Sequence, residues 1–228
     1  MRIAGEVGAA RVELTAALAL GGLTPSPATV ELALEAARLA GVEVHVLVRP
    51  RAGDFHYTDD EIAVVERDIR WVVGAGADGV VIGALDAHGL LDLAVMSQLR
   101  DAAGAASVTL HRAIDVTPDP LATLRAARDL GLRRVLTSGG ASTAIDGIDT
   151  LRALAAAANG IEVMAGSGVD ARSAVALAET GVDALHFSAK RTVAAAGGVR
   201  LGSAADGVGG YEVTDREAAF AVRAALGL

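Results

Sequence analysis

The sequence contains no cysteine and a single lysine, Lys190, and aromatic residues make up only 3% of it. Each shortage excludes something. Without cysteine there can be neither a disulfide framework nor a thiolate metal site. Lys190 lies past the last strand that the sequence suggests, so no strand end offers an amine for a Schiff base with a carbonyl substrate. Long apolar runs are missing too: none approaches the roughly 18 residues needed to cross a bilayer. The opening residues, MRIAGEVGAARVEL, lack the apolar stretch of a secretory signal. Basic residues number 20 against 28 acidic ones, a net charge of −8. That balance argues against nucleic acid and anionic membrane as partners. These absences together point to a cytoplasmic protein.

What is present is an apolar core. Of 228 residues, 52% are hydrophobic and the mean hydropathy is +0.43. Alanine, valine, leucine and glycine supply it, and the length suits one domain over residues 1–228, with no linker or low-complexity tract to divide it.

One pattern recurs. EVGAARVEL (6–14), GAGADGVVI (74–82), DLGLRRVLT (129–137) and ETGVDALHF (179–187) each run from a helix end through a glycine into a strand. Strand starts fall near 11, 43, 79, 107, 134, 161 and 184, separated by alanine-rich amphipathic stretches. Alternating strands and helices with near-continuous apolar strands predict a parallel sheet covered on both faces. No G-x-G-x-x-G marks the first strand–helix turn, and polar residues follow nearly every strand rather than one switch point. The pattern therefore predicts a TIM-type (β/α)8 barrel over a doubly wound sheet. Only seven strands are found. MRIAGEVGA reads as the last turns of a helix, so the chain is expected to lack the usual first strand and part of the first helix.

In a barrel the C-terminal strand ends meet at one face, where polar residues read as a site. They are Glu13 after the first strand; Arg49 and Asp54 after the second; and His111, Arg112 and Asp115 after the fourth. Thr137, Ser138, Gly139 and Gly140 follow the fifth, Gly166, Ser167 and Gly168 the sixth, and His186 and Ser188 the seventh. In EVHVLVR the valines share one face and suit the helix layer, so Arg49 is expected to point into the mouth. The glycine-rich turns at 138–143 and 165–173 have the composition of anion cradles.

The stretches RVELTAALALGGLTPS (11–26), VLVRPRAGDFHYTDDE (46–61), ADGVVIGALDAHGLLD (77–92), VTLHRAIDVTPDP (108–120), RVLTSGGAST (134–143) and LHFSAKR (185–191) resemble the CutC family, described as copper homeostasis proteins. The resemblance implies a (β/α)8-type barrel, often dimeric, in the cytoplasm, with a copper or other divalent metal ion as its ligand. The family often carries cysteine after the RVEL segment, where this sequence has Thr15.

Three functions compete. A metal-handling protein would use His111, His186 and Glu13, although thiolates are absent and the three methionines, Met1, Met96 and Met164, are scattered. An enzyme acting on a small anionic substrate, a phosphorylated one included, would use His111 as acid or base and Glu13 as its carboxylate counterpart. Arg49 and Arg112 would clamp the anion, and Gly166 to Gly168 would cradle the phosphate. A non-catalytic binding scaffold is the third. Arg51, Asp54, Asp115, Ser138, Gly139, Gly140 and Ser188 fall to substrate binding in the second. A homodimer is expected throughout.

Overall fold

Local start and stop signals set most of the elements. Ser26 accepts from the Thr29 amide and stands before Pro27, which opens helix α2 (Pro27–Ala40). Thr58 and Glu61 form a reciprocal capping box at α3 (Asp59–Gly74). Asp92 caps α4 (Leu93–Ala103), and Asp119 followed by Pro120 starts α5 (Pro120–Asp129). Gly41 ends α2 at φ 67°, a conformation that costs other residues a Cβ clash.

The computed structural model describes residues 1–194 and 210–228. Helix α1 (Arg2–Glu6) leads into seven strands: β1 (Arg11–Leu14), β2 (Glu43–Leu47), β3 (Gly79–Ile82), β4 (Ser107–Leu110), β5 (Arg134–Thr137), β6 (Glu162–Gly166) and β7 (Ala184–His186). All neighbours are parallel and lie in chain order, joined by α2 to α5, α6 (Ile148–Ala157) and α7 (Ala174–Ala178). The strand starts agree with the sequence reading. The sheet is a curled barrel wall, one strand short of eight, and among the described residues no ladder joins β1 to β7.

Alternation along the strands divides inside from outside. Val44, Val46 and Val48 pack in the main apolar cluster with Val30, Leu34 and Ala37 of α2 and Val65 and Ile69 of α3. The valine face of β2 thus meets the helices, as expected. Leu47, Val81, Leu136 and Met164 are buried but belong to neither apolar cluster; they fill the inner side of the wall.

The sequence reading did not foresee the last part. Strands β8 (Lys190–Ala194) and β9 (Gly210–Thr214) form an antiparallel hairpin, followed by α8 (Arg216–Ala225). Helix α8 packs on α7 and reaches back to the start of the chain: Arg216 pairs with Glu6 at 2.8 Å, and Arg223 donates to the Val7 carbonyl. It therefore spans the outside of the seam between the last and first strands. Among the described residues no helix is long and apolar enough to cross a membrane.

Candidate functional site

His111 stands one residue beyond β4, where its amide still bonds to the Ile82 carbonyl of β3 at 2.9 Å. Its ring occupies space left by Gly83; a Cβ there would lie 2.5 Å from the His111 Cε1. The Ala113 amide donates to His111 Nδ1 at 3.1 Å. An imidazole nitrogen that accepts carries no proton, so in the neutral ring the N–H must be on Nε2. That Nε2 is buried and has no hydrogen-bond partner. Burial, with the nearby Arg49 charge, pushes the His111 pKa down to about 3. The ring is therefore neutral at physiological pH and presents one unused donor.

Arg49 lies next to it and is buried. Its Nη1 donates to the Leu20 and Gly22 carbonyls (3.2 and 3.3 Å), and its Nη2 to the Gly53 carbonyl (2.7 Å). Among the described residues these hydrogen bonds go to carbonyls and not to a carboxylate, and Nε has no hydrogen-bond partner there. Phe55 joins the two groups: the Arg49 guanidinium lies 5.0 Å from its ring centre, and the His111 ring 4.7 Å away. Tyr57 adds a buried, unpartnered hydroxyl, whose pKa burial pushes up. The sequence reading quoted Phe55 and Tyr57 but did not select them. An aromatic flanked by two strand-end arginines was the available signal.

Arg51 and Asp54 point elsewhere. Arg51 is tied to Glu61 at 2.5 Å and Asp54 at 3.1 Å, and it donates to the His56 carbonyl. Asp54 is exposed. The pair braces the loop after β2 rather than lining the mouth.

The turn at 138–140 is already filled. Asp115 accepts from the Thr137 hydroxyl (2.5 Å), the Ser138 amide (3.0 Å), the Gly140 amide (3.1 Å), the Ser138 hydroxyl (3.0 Å) and Arg112 Nε (2.7 Å). The Gly139 amide goes to Thr137 Oγ1. Backbone donors that resemble a phosphate cradle in the sequence thus hold the chain's own carboxylate. Arg112 also donates to Ser138 Oγ and the Ala141 carbonyl, so Arg112, Asp115 and residues 138–140 form a rivet between two loops.

The turn at 166–168 differs. Ser167 sits at φ 85° and donates to the Ser142 carbonyl, while Gly168 packs on Thr143. Among the described residues no carboxylate fills this turn. Ser188, exposed, lies just past β7.

Glu13 lies on β1, at the seam. Among the described residues it makes no hydrogen bond to Arg49, His111 or Arg112, and its Oε2 is buried without a partner. Burial raises its pKa, and the charge of His186 on β7 opposes that rise. Glu13 therefore faces His186 across the open side, while His111 stands three strands away from β7 on β4. Among the described residues no three His, Asp or Glu side chains converge as a metal-binding group.

The comparisons follow the same lines. A family model described as the CutC family matches residues 1–191. A CutC family protein of Xanthomonas axonopodis pv. citri is 50% identical over 161 residues, 70% of this chain and 66% of that protein. The matched stretch thus spans slightly less than two thirds of the relative. A crystal structure of CutC from Streptococcus agalactiae, named for copper homeostasis, has a TM-score of 0.75 at 35% identity, over 78% of this chain and 87% of that one. Deoxyribose phosphate aldolase from Aeropyrum pernix, with a TM-score of 0.57 at 17% identity over 81% and 75% of the two chains, shares the fold alone.

Proposed function

The chain belongs to the CutC family, and we propose that its C-terminal mouth binds a small anionic carbonyl compound at His111 and Arg49. One observation carries this reading: the buried, unpartnered Nε2–H of His111, beside an arginine whose hydrogen bonds, among the described residues, go to carbonyls and not to a carboxylate. A donor of this kind, in a site of low dielectric, suits an oxygen that carries or develops negative charge. The neutral ring donates and does not accept, so His111 polarises the oxygen and is not the base. Phe55 offers a flat apolar wall, and Arg49 contributes long-range charge while holding the loops around it. Glu13, kept protonated by burial to a higher pH than an ordinary carboxyl, is the group that can carry a proton, from the seam side.

Pyruvate, with a carbonyl next to a carboxylate, is a suitable probe. Calorimetric titration should show saturable binding, weakened about tenfold in His111→Gln through loss of roughly 1.4 kcal/mol from one buried hydrogen bond. Binding equal in His111→Gln and the parent chain would remove the proposal.

Copper is the second reading, supported by the name of the Streptococcus agalactiae relative. The donors present do not fit it. There is no thiolate, and Met96 and Met164 are buried apart, on α4 and β6. A metal at His111 Nε2 would displace the proton to Nδ1 and break the bond from the Ala113 amide. Titration of chelator-treated protein with Cu(I), Cu(II) and Zn(II) is expected to give no tight Cu(I) complex. A stoichiometric, submicromolar one abolished by His111→Ala would restore the copper reading.

A further inference from the structure

The opposite end of the barrel holds a cavity of about 560 Å³, at the N-terminal ends of the strands. Barrels keep their chemistry at the other face, and this end is ordinarily a place for packing and ion pairs. Here the formal charges match once Asp101 is counted, but the pairing is incomplete. Arg11, Arg100, Arg133 and Arg134 line the space against three carboxylates, Glu43, Asp78 and Glu162. Arg100 has a partner of its own in Asp101. Asp78 is engaged with the Val44 amide at 2.8 Å. Arg133 and Arg134 share Glu162, and Arg11 reaches Glu43 only at 3.7 Å.

Arg134 is the informative residue. Its side chain is only 3% exposed, which is rare for a cation and costly without full pairing. Nη2 meets Glu162 and Nη1 meets the Thr109 hydroxyl, but Nε is buried with no partner. Two other residues that line the same space, Arg11 and Ser107, have a buried, unpartnered atom each, Nε and Oγ. Burial, and then the neighbouring Arg11 charge, lower the Arg134 pKa, as expected for a buried guanidinium beside a second one. Donors from β1, β4 and β5 therefore converge on one space without enough acceptors to satisfy them.

We propose that this N-terminal cavity is an anion site, taking the phosphate group of a small phosphorylated molecule between Arg11, Arg133, Arg134 and Ser107. A tetrahedral dianion supplies several acceptors to guanidinium forks that approach from different strands. The remaining volume leaves room for a short organic part. Nothing in this site depends on the pyruvate-type ligand proposed for the mouth.

The test uses inorganic phosphate as the probe, followed by calorimetry and by 31P line broadening, with ionic strength matched by chloride. Saturable one-to-one binding is expected in the parent chain and in His111→Gln. Arg133→Gln, at an exposed position that should not disturb folding, should weaken it at least tenfold, as should Arg11→Gln. Arg134→Lys should also weaken it, because an ammonium cannot supply the fork, and circular dichroism will show whether that variant is folded. No saturable binding would overturn the proposal. So would binding unchanged in Arg133→Gln and Arg11→Gln, or binding lost in His111→Gln, which would assign phosphate to the other mouth. Retention of pyruvate binding in Arg133→Gln separates this outcome from any failure of the mouth reading.

Discussion

His111 carries a pH signature that follows from its burial. In the unfolded chain its pKa is near 6.5, and in the folded protein it is about 3. Between those values the unfolded state binds the extra proton and the folded state does not. Stability is therefore full above pH 6.5 and falls as the solution is acidified toward 3, by up to about 1.4 kcal/mol per pH unit from this residue. Glu13 acts in the opposite sense: its raised pKa makes the folded state the proton binder above 4.5, so this contribution weakens as pH rises. Urea unfolding at pH 7 and pH 5 should show a steeper loss for the parent chain than for His111→Gln, by roughly 2 kcal/mol. Parallel pH profiles would show that the ring titrates normally. The sequence made His111 legible as a strand-end residue, but not its tautomer. That is set by the Ala113 amide two residues on and by the room left at Gly83 of another strand. Phe55 escaped selection for the same reason, because its contacts with Arg49 and His111 exist only once β2 and β4 are brought together.

Between elements, Asp115 has the largest structural consequence. Asp115→Ala would leave the Ser138 and Gly140 amides and the Thr137 hydroxyl without their acceptor and Arg112 without its partner. A loss of roughly 3 kcal/mol is expected in denaturant unfolding, after allowing for the solvent access of Arg112. A change below about 0.5 kcal/mol, the range of ordinary surface substitutions, would mean that the rivet holds nothing. Two glycines sharpen the same point. At Gly131, φ is 78° and a Cβ would meet open space; at Gly139, φ is 74° and a Cβ would lie 2.4 Å from the Gly147 carbonyl oxygen. Gly131→Ala should cost about 1 kcal/mol and Gly139→Ala about 3 kcal/mol, the difference being the clash. Equal melting temperatures for the two variants would contradict this. Strand and helix order was readable because apolar runs, caps and terminating glycines are local signals. The filling of the turn at 138–140 was not, since its anion comes from a residue more than twenty positions earlier. The hairpin β8–β9 was unreadable for another reason: KRTVA is largely exposed, so it lacks the apolar run that marks the other strands.

At the scale of the whole molecule the seam decides behaviour. Strands β1 and β7 each have one partner among the described residues, β2 and β6, leaving a second row of backbone donors and acceptors on each side of the opening. Helix α8 covers the seam from outside through its ties to Glu6 and Val7, but a helix cannot satisfy a strand edge. Unpaired parallel edges beside apolar side chains favour pairing with another chain. Self-association through the seam is therefore expected, with a melting temperature that rises with protein concentration. A designed strand–helix segment fused before Met1, apolar on the inner and outer faces of its strand, should occupy the gap. Such a fusion should melt several degrees higher and show weaker association in light scattering, since the edges would be paired within one chain. Arg216→Ala, which removes the tie of α8 to Glu6, should lower the melting temperature of the parent chain more than that of the fusion. Equal melting temperatures for the two lengths, with a strictly monomeric parent chain at all concentrations, would show that the edges are closed by other means and that the open seam is not a source of instability.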